Sequence, residues 1–293
     1  MKPIQLNQKT GELLLAAVII ARATSFLFSK IVLQTMTPMT LMAVRFLIAF
    51  GFLAILFHKK LRHISFHTFL KGMLLGFAFF SVLAAEFTAL QTTPSSTVSF
   101  LENTAIVFVP IFEGILHRRF PSLPTVFSLV LAMCGIFLLT LGSGVALSFR
   151  GGALFGLLAA VLYAVAIILT DRLSREGDSL TLGILQVGFM GFFACITAFL
   201  LETPRLPSGT TEWGLILALA LVCSGFGFTL QPVAQSYTTA ERASMFCALS
   251  PVAAAVLGWL VLKESFGVTG FIAIILIMAG ILISTSAKQN RNT

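Results

Sequence analysis

The 293-residue chain contains little charge, since Asp, Glu, Lys and Arg make up only 10% of it. A soluble globular domain carries about 25% charged residues. Hydrophobic residues account for 57% of the chain, and its mean hydropathy is +0.99. This composition predicts an integral membrane protein. The net charge of +8 does not indicate nucleic-acid binding, because the basic residues lie in short gaps between apolar runs, where membrane orientation explains them.

Motifs for several kinds of chemistry are also missing. None of the four cysteines belongs to a C-x-x-C pair, and all are interpreted as small buried apolar residues: Cys134, Cys195, Cys223 and Cys247. The four histidines lack ligand spacing on one helix, so we expect neither a metal site nor a cofactor. The absence of a P-loop disfavours ATP-driven transport. Without a Ser/His/Asp constellation, an enzyme is not expected.

Apolar runs of spanning length recur along the chain. A run of about 20 apolar residues crosses a ~30 Å hydrocarbon core, and a backbone in lipid must satisfy its own hydrogen bonds. Ten transmembrane helices are therefore predicted: 12–33, 38–57, 70–90, 96–116, 123–142, 151–170, 180–201, 213–235, 240–262 and 266–286. Thirteen Lys and Arg residues fall on the side that holds the N-terminus and three on the other, which predicts a plasma-membrane protein with both termini in the cytoplasm.

The two halves of the chain resemble each other. A shift of 145 positions overlays the last two runs of each half and pairs Thr93 with Thr238 and Ser99 with Ser244, while slightly smaller shifts align the first two runs. Each half contains five runs, an odd number, so the second half enters the membrane from the opposite face. The sequence thus predicts an inverted repeat of residues 1–147 and 148–293, an architecture common among secondary transporters.

The stretch from Phe228 to Glu264, FTLQPVAQSYTTAERASMFCALSPVAAAVLGWLVLKE, resembles the EamA-type drug/metabolite transporter superfamily. In the first half, three segments sit where the family's first-repeat patterns sit: TSFLFSKIVL at 24–33, an Arg-Phe pair at 45–46 and SFLENTAIVFVPIF at 99–112. The resemblance implies ten helices in two inverted five-helix repeats. It also implies a central cavity, lined mainly by the first, third, fourth, sixth, eighth and ninth helices. Such relatives move amino acids, other metabolites or drugs, often outward, and the fold alone does not choose among these.

The sequence departs from the family pattern at positions that the resemblance places in the cavity. Arg22 and Ala23 replace a common Trp-Gly pair, Glu86 replaces a common Gln, and Ser250 replaces a common Glu. The substrate therefore cannot be copied from a relative.

The membrane-embedded ionisable residues, as distinct from those at the ends of the predicted spans, are assigned to the first half: Arg22, Lys30, Arg45, Glu86, Glu102 and Glu113. A cation in a span costs about 2.5–3.5 kcal/mol on insertion scales. Because the aligned second-half positions are uncharged, the repeated fold does not require these charges, and a function is favoured. Arg22 and Glu102 are the strongest candidates for contact with a substrate or proton, against the alternative of an ion pair of Arg22 with Glu102 or Glu86. Lys30, Arg45 and Glu86 have the alternative of static pairs or snorkelling to the interface.

Neutral polar residues within the spans are further candidates for hydrogen bonds to a substrate: Asn103, Tyr163, Gln186, Gln231, Gln235 and Ser250. Each has the alternative role of an inter-helix hydrogen bond, worth ~0.6 kcal/mol on average.

The combined hypothesis is a secondary transporter that exports a small polar or amphipathic, amino-acid-like metabolite by alternating access. The embedded carboxyl groups are candidates for proton coupling. The alternative is efflux of drugs or lipophilic cations against aromatic walls, since 29 residues are Phe. The expected partners are a small-molecule substrate and the lipid bilayer, and the chain is expected to be a monomer or a weak homodimer. A channel is disfavoured because it usually needs pore rings from an oligomer.

Overall fold

A computed structural model describes residues 7–93, 95–118, 120–142, 152–253, 256 and 268–287. The regular secondary structure of these ranges is entirely helical. The α-helices, numbered in chain order, are α1 (Gln8–Val32), α2 (Pro38–Leu56), α3 (His58–Leu61), α4 (Phe66–Thr92), α5 (Ser95–Asn103), α6 (Ala105–His117), α7 (Leu123–Gly142), α8 (Ala153–Ser174), α9 (Ser179–Leu201), α10 (Gly209–Ala218), α11 (Thr229–Gln235), α12 (Ala240–Cys247) and α13 (Val268–Ala287). A π-helical segment, Leu219–Phe228, joins α10 to α11.

Eight helices or helix series are long and apolar enough to cross a membrane: Gln8–Val32, Pro38–Leu56, Phe66–Thr92, Thr97–His117, Ala153–Ser174, Ser179–Leu201, Gly209–Gln235 and Val268–Ser286. Leu123–Leu138 is a shorter apolar helix. The predicted run 240–262 lies partly outside the described residues, and each of the other predicted runs overlaps a helix. The prediction of an all-helical, multi-pass membrane protein is confirmed.

Helices begin where the sequence supplies acceptors for the free N–H groups of a first turn. Side-chain caps of this kind include Asn7 for α1, Ser65 for α4, Asp178 for α9 and Thr239 for α12. Pro38 opens α2, where its missing N–H leaves no bond unmade. The carboxylate of Glu202, at the end of α9, accepts hydrogen bonds from the backbone N–H groups of Met39 and Thr40, each with an N···O distance of 2.9 Å. This capping fastens α2 to α9.

Two spans are interrupted close to an internal proline. Between α5 and α6 the helix breaks at Thr104, and Pro110 follows within α6. The π-helical segment ends at Phe228, and Pro232 lies four residues further on. Proline has no N–H to bond the carbonyl four residues earlier, so the carbonyls of Ile106 and Phe228 lose an α-helical hydrogen bond, and the second of these lies at the end of the π-helical segment. π-Helical turns are rare and are found often at functional sites.

Polar contacts define two opposite faces of the bundle. At the N-terminal face, where α1 begins, Glu12 pairs with Arg242 of α12 at 2.8 Å. At the opposite face, where α1 ends, Arg205 pairs with Glu212 at 2.7 Å. Both of these residues hydrogen-bond to Thr35, which follows α1. The contacts hold the ends of helices from both halves together at each face.

Candidate functional site

A cavity of about 30 Å³ lies between α1, α4, α5, α8, the π-helical segment and α12. This volume admits about two water molecules. Its lining residues are Ile19, Arg22, Ser25, Leu83, Glu86, Glu102, Asn103, Tyr163, Phe228, Cys247 and Ser250. These elements belong to the first, third, fourth, sixth, eighth and ninth predicted spans, the same set that the family resemblance implies.

Arg22 reaches from α1 into this cavity and is held by neutral groups of the second half. Its Nη1 donates hydrogen bonds to the hydroxyl of Tyr163 at 2.9 Å and to Oε1 of Gln231 at 2.5 Å. The guanidinium carbon lies 4.1 Å from the ring centroid of Phe228 and also faces the rings of Phe79 and Tyr163. A desolvated cation–π contact contributes about 2 kcal/mol. Dipoles and aromatic faces thus replace the water that the cation has lost.

The aliphatic stem of Arg22 crosses Gly227 in the π-helical segment. A Cβ atom added at Gly227 would lie only 2.7 Å from Cγ of Arg22, closer than such atoms approach each other in proteins. Glycine is therefore needed at this position for the stem to pass. The next residue, Phe228, supplies the nearest aromatic ring, so consecutive residues of the π-helical segment position the cation.

Glu86 of α4 and Glu102 of α5 form an acid pair in the same cavity. They are 3% and 4% exposed, and the two carboxyl groups interact electrostatically. Two buried carboxylates that lie close to each other repel when both are ionised. Oε2 of Glu102 has no hydrogen-bond partner within the part of the chain that the structure describes. The pair therefore keeps an acceptor free at the cavity.

Arg22 and the acid pair interact across the cavity without touching. Among the described residues, neither Glu86 nor Glu102 has an oxygen within the 4.0 Å ion-pair distance of Arg22. Arg22 and Glu102 nevertheless interact electrostatically. The direct ion pair considered from the sequence is thus not formed in this conformation, and the cavity lies between the opposite charges.

Four of the neutral candidates also belong to this region. Asn103 and Ser250 line the cavity, and the Asn103 amide donates to the carbonyl of Ser99 at 2.7 Å. Gln231, which accepts from Arg22, donates in turn to Oε1 of Gln235 at 3.2 Å. These two amides extend the polar network along α11 towards the N-terminal face.

Lys30 and Gln186 do not line the cavity. Nζ of Lys30 donates to the carbonyls of Leu90 and Thr93 at the end of α4, where helix carbonyls lack partners within the helix. Gln186 of α9 is fully buried, and neither of its amide atoms has a partner among the described residues. Nothing in its surroundings assigns it a role in the cavity.

Arg45 is fully buried behind the cavity wall. It donates from Nε to Ser224 and from Nη1 to Ser25, both at 3.0 Å. Its guanidinium carbon lies 4.8 Å from the ring centroid of Phe46. Since Ser25 also lines the cavity, Arg45 contacts the site only through this hydroxyl.

Sequence reasoning missed several residues of the site, among them Phe79, Phe228 and Cys247. Phe79 and Phe228 face Arg22, but nothing distinguishes them in the sequence from the other phenylalanines. Cys247 was interpreted as a small buried apolar residue, yet it lines the cavity with its Sγ 3.4 Å from the hydroxyl of Tyr163. One signal for Cys247 was available, because the shift of 145 positions aligns it with Glu102.

The EamA-like transporter family matches residues 9–141 and again residues 150–286. The chain belongs to this family. An uncharacterized transporter of Archaeoglobus fulgidus is 28% identical over 298 residues, which cover 98% of this chain and all of the relative. The uncharacterized transporter YetK of Bacillus subtilis is 25% identical over 206 residues, which cover 68% of this chain and 62% of YetK.

A solved crystal structure superposes on this EamA-family chain with a TM-score of 0.78, covering 97% of this chain and 99% of the other. The two sequences are 18% identical, so this likeness speaks for the fold alone. The family match confirms the resemblance seen in the sequence and makes the chain a membrane transporter.

Proposed function

We propose that this EamA-family protein is a secondary transporter, not an enzyme, and that it exports a small zwitterionic, amino-acid-like metabolite across the plasma membrane. In this proposal ten transmembrane helices form two inverted five-helix repeats, residues 1–147 and 148–293. The double family match supports the duplication. Inversion is supported by the contacts, because α1 begins at the face where α8 ends. The excess of Lys and Arg supports a cytoplasmic N-terminal face.

The observation that carries the substrate class is the placement of Arg22 and the Glu86–Glu102 pair around one cavity. A substrate carboxylate would accept charge-assisted hydrogen bonds from the guanidinium of Arg22. A substrate ammonium would donate to the free Oε2 of Glu102. Ile19 and Leu83 offer apolar contacts to the remainder of the molecule. A zwitterion satisfies both charged groups at once.

The small volume of the cavity supports alternating access. About 30 Å³ is too little for an amino acid, so the cavity of the described conformation has no room for a substrate. Binding then requires the helices around the cavity to move apart at one face, and release requires movement at the other.

Protons are the proposed coupling ion. In this proposal the pair of Glu86 and Glu102 carries one proton, because two buried carboxylates side by side repel each other when both are ionised. A substrate ammonium that binds Glu102 would replace this proton. Exchange of substrate for proton on the same carboxylates couples export of the substrate to entry of protons.

Efflux of lipophilic cations is the second candidate, and one observation favours it. The rings of Phe79, Tyr163 and Phe228 form an aromatic surface of the kind that binds organic cations. In the described conformation this surface faces the guanidinium of Arg22. A cationic drug would meet like charge there, so the zwitterion is preferred.

Transport in proteoliposomes tests the proposal. A panel of L-amino acids is compared with lipophilic cations, with and without a pH gradient, for the wild type and for Arg22→Ala and Glu102→Gln. Lys60→Ala serves as a control, because Lys60 forms an ion pair with Asp178 on the surface. We expect amino-acid transport that both cavity variants lose and the control keeps. Full activity of both variants contradicts the site, and no response to the gradient contradicts proton coupling.

A further inference from the structure

A three-part contact closes the opposite face of the molecule, outside the cavity. Its centre is the junction that follows α4, at Thr92 and Thr93. Lys30, in the last turn of α1, donates to the carbonyl of Thr93 at 3.2 Å and to the carbonyl of Leu90. Gly152, the N-cap of α8, packs against the same junction, since an added Cβ would lie 2.6 Å from Oγ1 of both threonines.

The N-terminal face carries the corresponding contact from the other half. Its centre is the junction that follows α11, at Tyr237 and Thr238. Arg175, the C-cap of α8, donates from Nη2 to the carbonyl of Thr238. Gly11, in the first turn of α1, packs against the junction, since an added Cβ would lie 2.5 Å from Cβ of Tyr237.

The internal repeat relates the junctions and the glycines of the two contacts. Thr93 and Thr238 are 145 positions apart, which is the shift that overlays the later spans, and Lys30 and Arg175 each lie at the end of the first helix of their half, α1 and α8. Gly11 and Gly152 are 141 positions apart, in line with the smaller shift of the first spans. At each face, one half supplies a cation and a carbonyl, and the other half supplies the glycine that packs against them.

The chemistry of these contacts suits a closure that opens and reforms. The last carbonyls of α4, to which Lys30 donates, have no partner within the helix and carry partial negative charge, so a cation at that end is stabilised. Water can also hydrogen-bond to such carbonyls once the cation leaves. The Arg175 side chain is 47% exposed, which keeps water within reach. Glycine lets the two halves meet without side chains that must unpack.

We propose that the Lys30–Thr93 and Arg175–Thr238 contacts are the two gate latches of the transporter, one at each face, and that each must open to connect the cavity with its own side. The inference rests on the proposed alternating-access function. Both latches are closed in the described conformation, in agreement with the small cavity. Lys30, a candidate for substrate contact from its sequence, thereby becomes a gating residue.

The thiol of Cys247 provides the test, because it lines the cavity. The three other cysteines are replaced by alanine: Cys134, Cys195 and Cys223. A membrane-impermeant maleimide is then added to sealed vesicles of known orientation, from either face. Lys30→Met is expected to speed labelling from the opposite face by about tenfold, as the loss of a hydrogen bond to a charged group predicts. Arg175→Met is expected to speed labelling from the N-terminal face severalfold.

Glycine variants test the same two junctions without removing a cation. Gly152→Ala and Gly11→Ala insert a methyl group into each junction, and should speed labelling from the opposite and the N-terminal face respectively. Lys30→Arg and Arg175→Lys keep a cationic donor, so each should be labelled more slowly than the Met variant at the same position. Elution as a single species in size-exclusion chromatography shows that each variant is folded.

Labelling that increases equally from both faces, increases from the face other than the expected one, or stays unchanged in all latch variants overturns the proposal. The measurement needs no substrate, so it separates the latches from the proposed function. Face-specific labelling without amino-acid transport would retain the latches and remove the substrate class. Amino-acid transport without face-specific labelling would retain the substrate class and remove the latches.

Discussion

Replacement of Gly227 by alanine tests whether the position of Arg22 determines ligand affinity. The added Cβ would lie 2.7 Å from Cγ of Arg22, so the side chain must move away from its hydrogen bonds with Tyr163 and Gln231. Insertion of a methyl group into a packed site costs about 1–3 kcal/mol. If the bound state needs Arg22 in place, this cost appears in the Kd for the transported amino acid. At 1.4 kcal/mol per factor of ten, the Kd should rise by about 5- to 140-fold.

Isothermal titration calorimetry of the detergent-purified protein measures this Kd. Gly214→Ala is the matched control, because it lies in the same span and its added Cβ meets no atom within 4 Å. Alanine favours a helix over glycine by about 1 kcal/mol, so the control should bind normally and be at least as stable as the wild type. A folded Gly227→Ala protein with an unchanged Kd would refute the reasoning.

Three further predictions concern single contacts. Tyr163→Phe keeps the ring beside Arg22 but removes a hydrogen-bond acceptor, so we expect KM in proteoliposomes to rise by about 2- to 12-fold. Glu202→Ala removes the cap of α2 and should lower stability by about 0.5–2 kcal/mol, visible as a lower Tm, whereas the Gln variant should recover part of the loss. Burial alone would raise the pKa of Asp178, but the hydrogen bond from Lys60 helps to hold this pKa below its ordinary value of 3.8. A depressed carboxyl pKa contributes stability that is full above the ordinary value and is lost as the pH falls through the lower, folded value. The Tm should therefore fall with the pH below about 4, and less steeply in Asp178→Asn.

The helical membrane fold was predictable because lipid offers no partner to backbone groups, which leaves helices as the solution for long apolar runs. The embedded charges were equally visible, since each of them interrupts an apolar run. Arg22, Glu86 and Glu102 were singled out in this way, and the structure brings them to one cavity. The sequence could not identify the hydrogen-bond partners of Arg22, because Tyr163 and Gln231 lie 141 and 209 positions away.

Lys30 and Arg45 gave the same sequence signal as Arg22 but lie outside the cavity lining. A charge within a span shows that the side chain needs polar partners, and it does not show whether these are ligands, carbonyls or hydroxyls. Lys30 donates to carbonyls at a helix end, and Arg45 donates to serine hydroxyls.

The role of Gly227 could not be predicted from the sequence for another reason. The π-helical segment bonds residue i to residue i+5, so an α-helical pattern misplaces the residues that face α1.

The hydrogen bonds of Arg22 can form only late in synthesis, because both of its acceptors lie far along the chain. The first helix is synthesised well before its partners, with Tyr163 following Arg22 after 141 residues and Gln231 after 209. At ~5–20 residues per second, about 10–40 s pass before the last acceptor is made. During that interval α1 is a poor membrane span that carries an unsatisfied cation. A chain that stops short of Gln231 keeps this defect, so an incomplete protein remains chemically distinguishable from a finished one within the membrane.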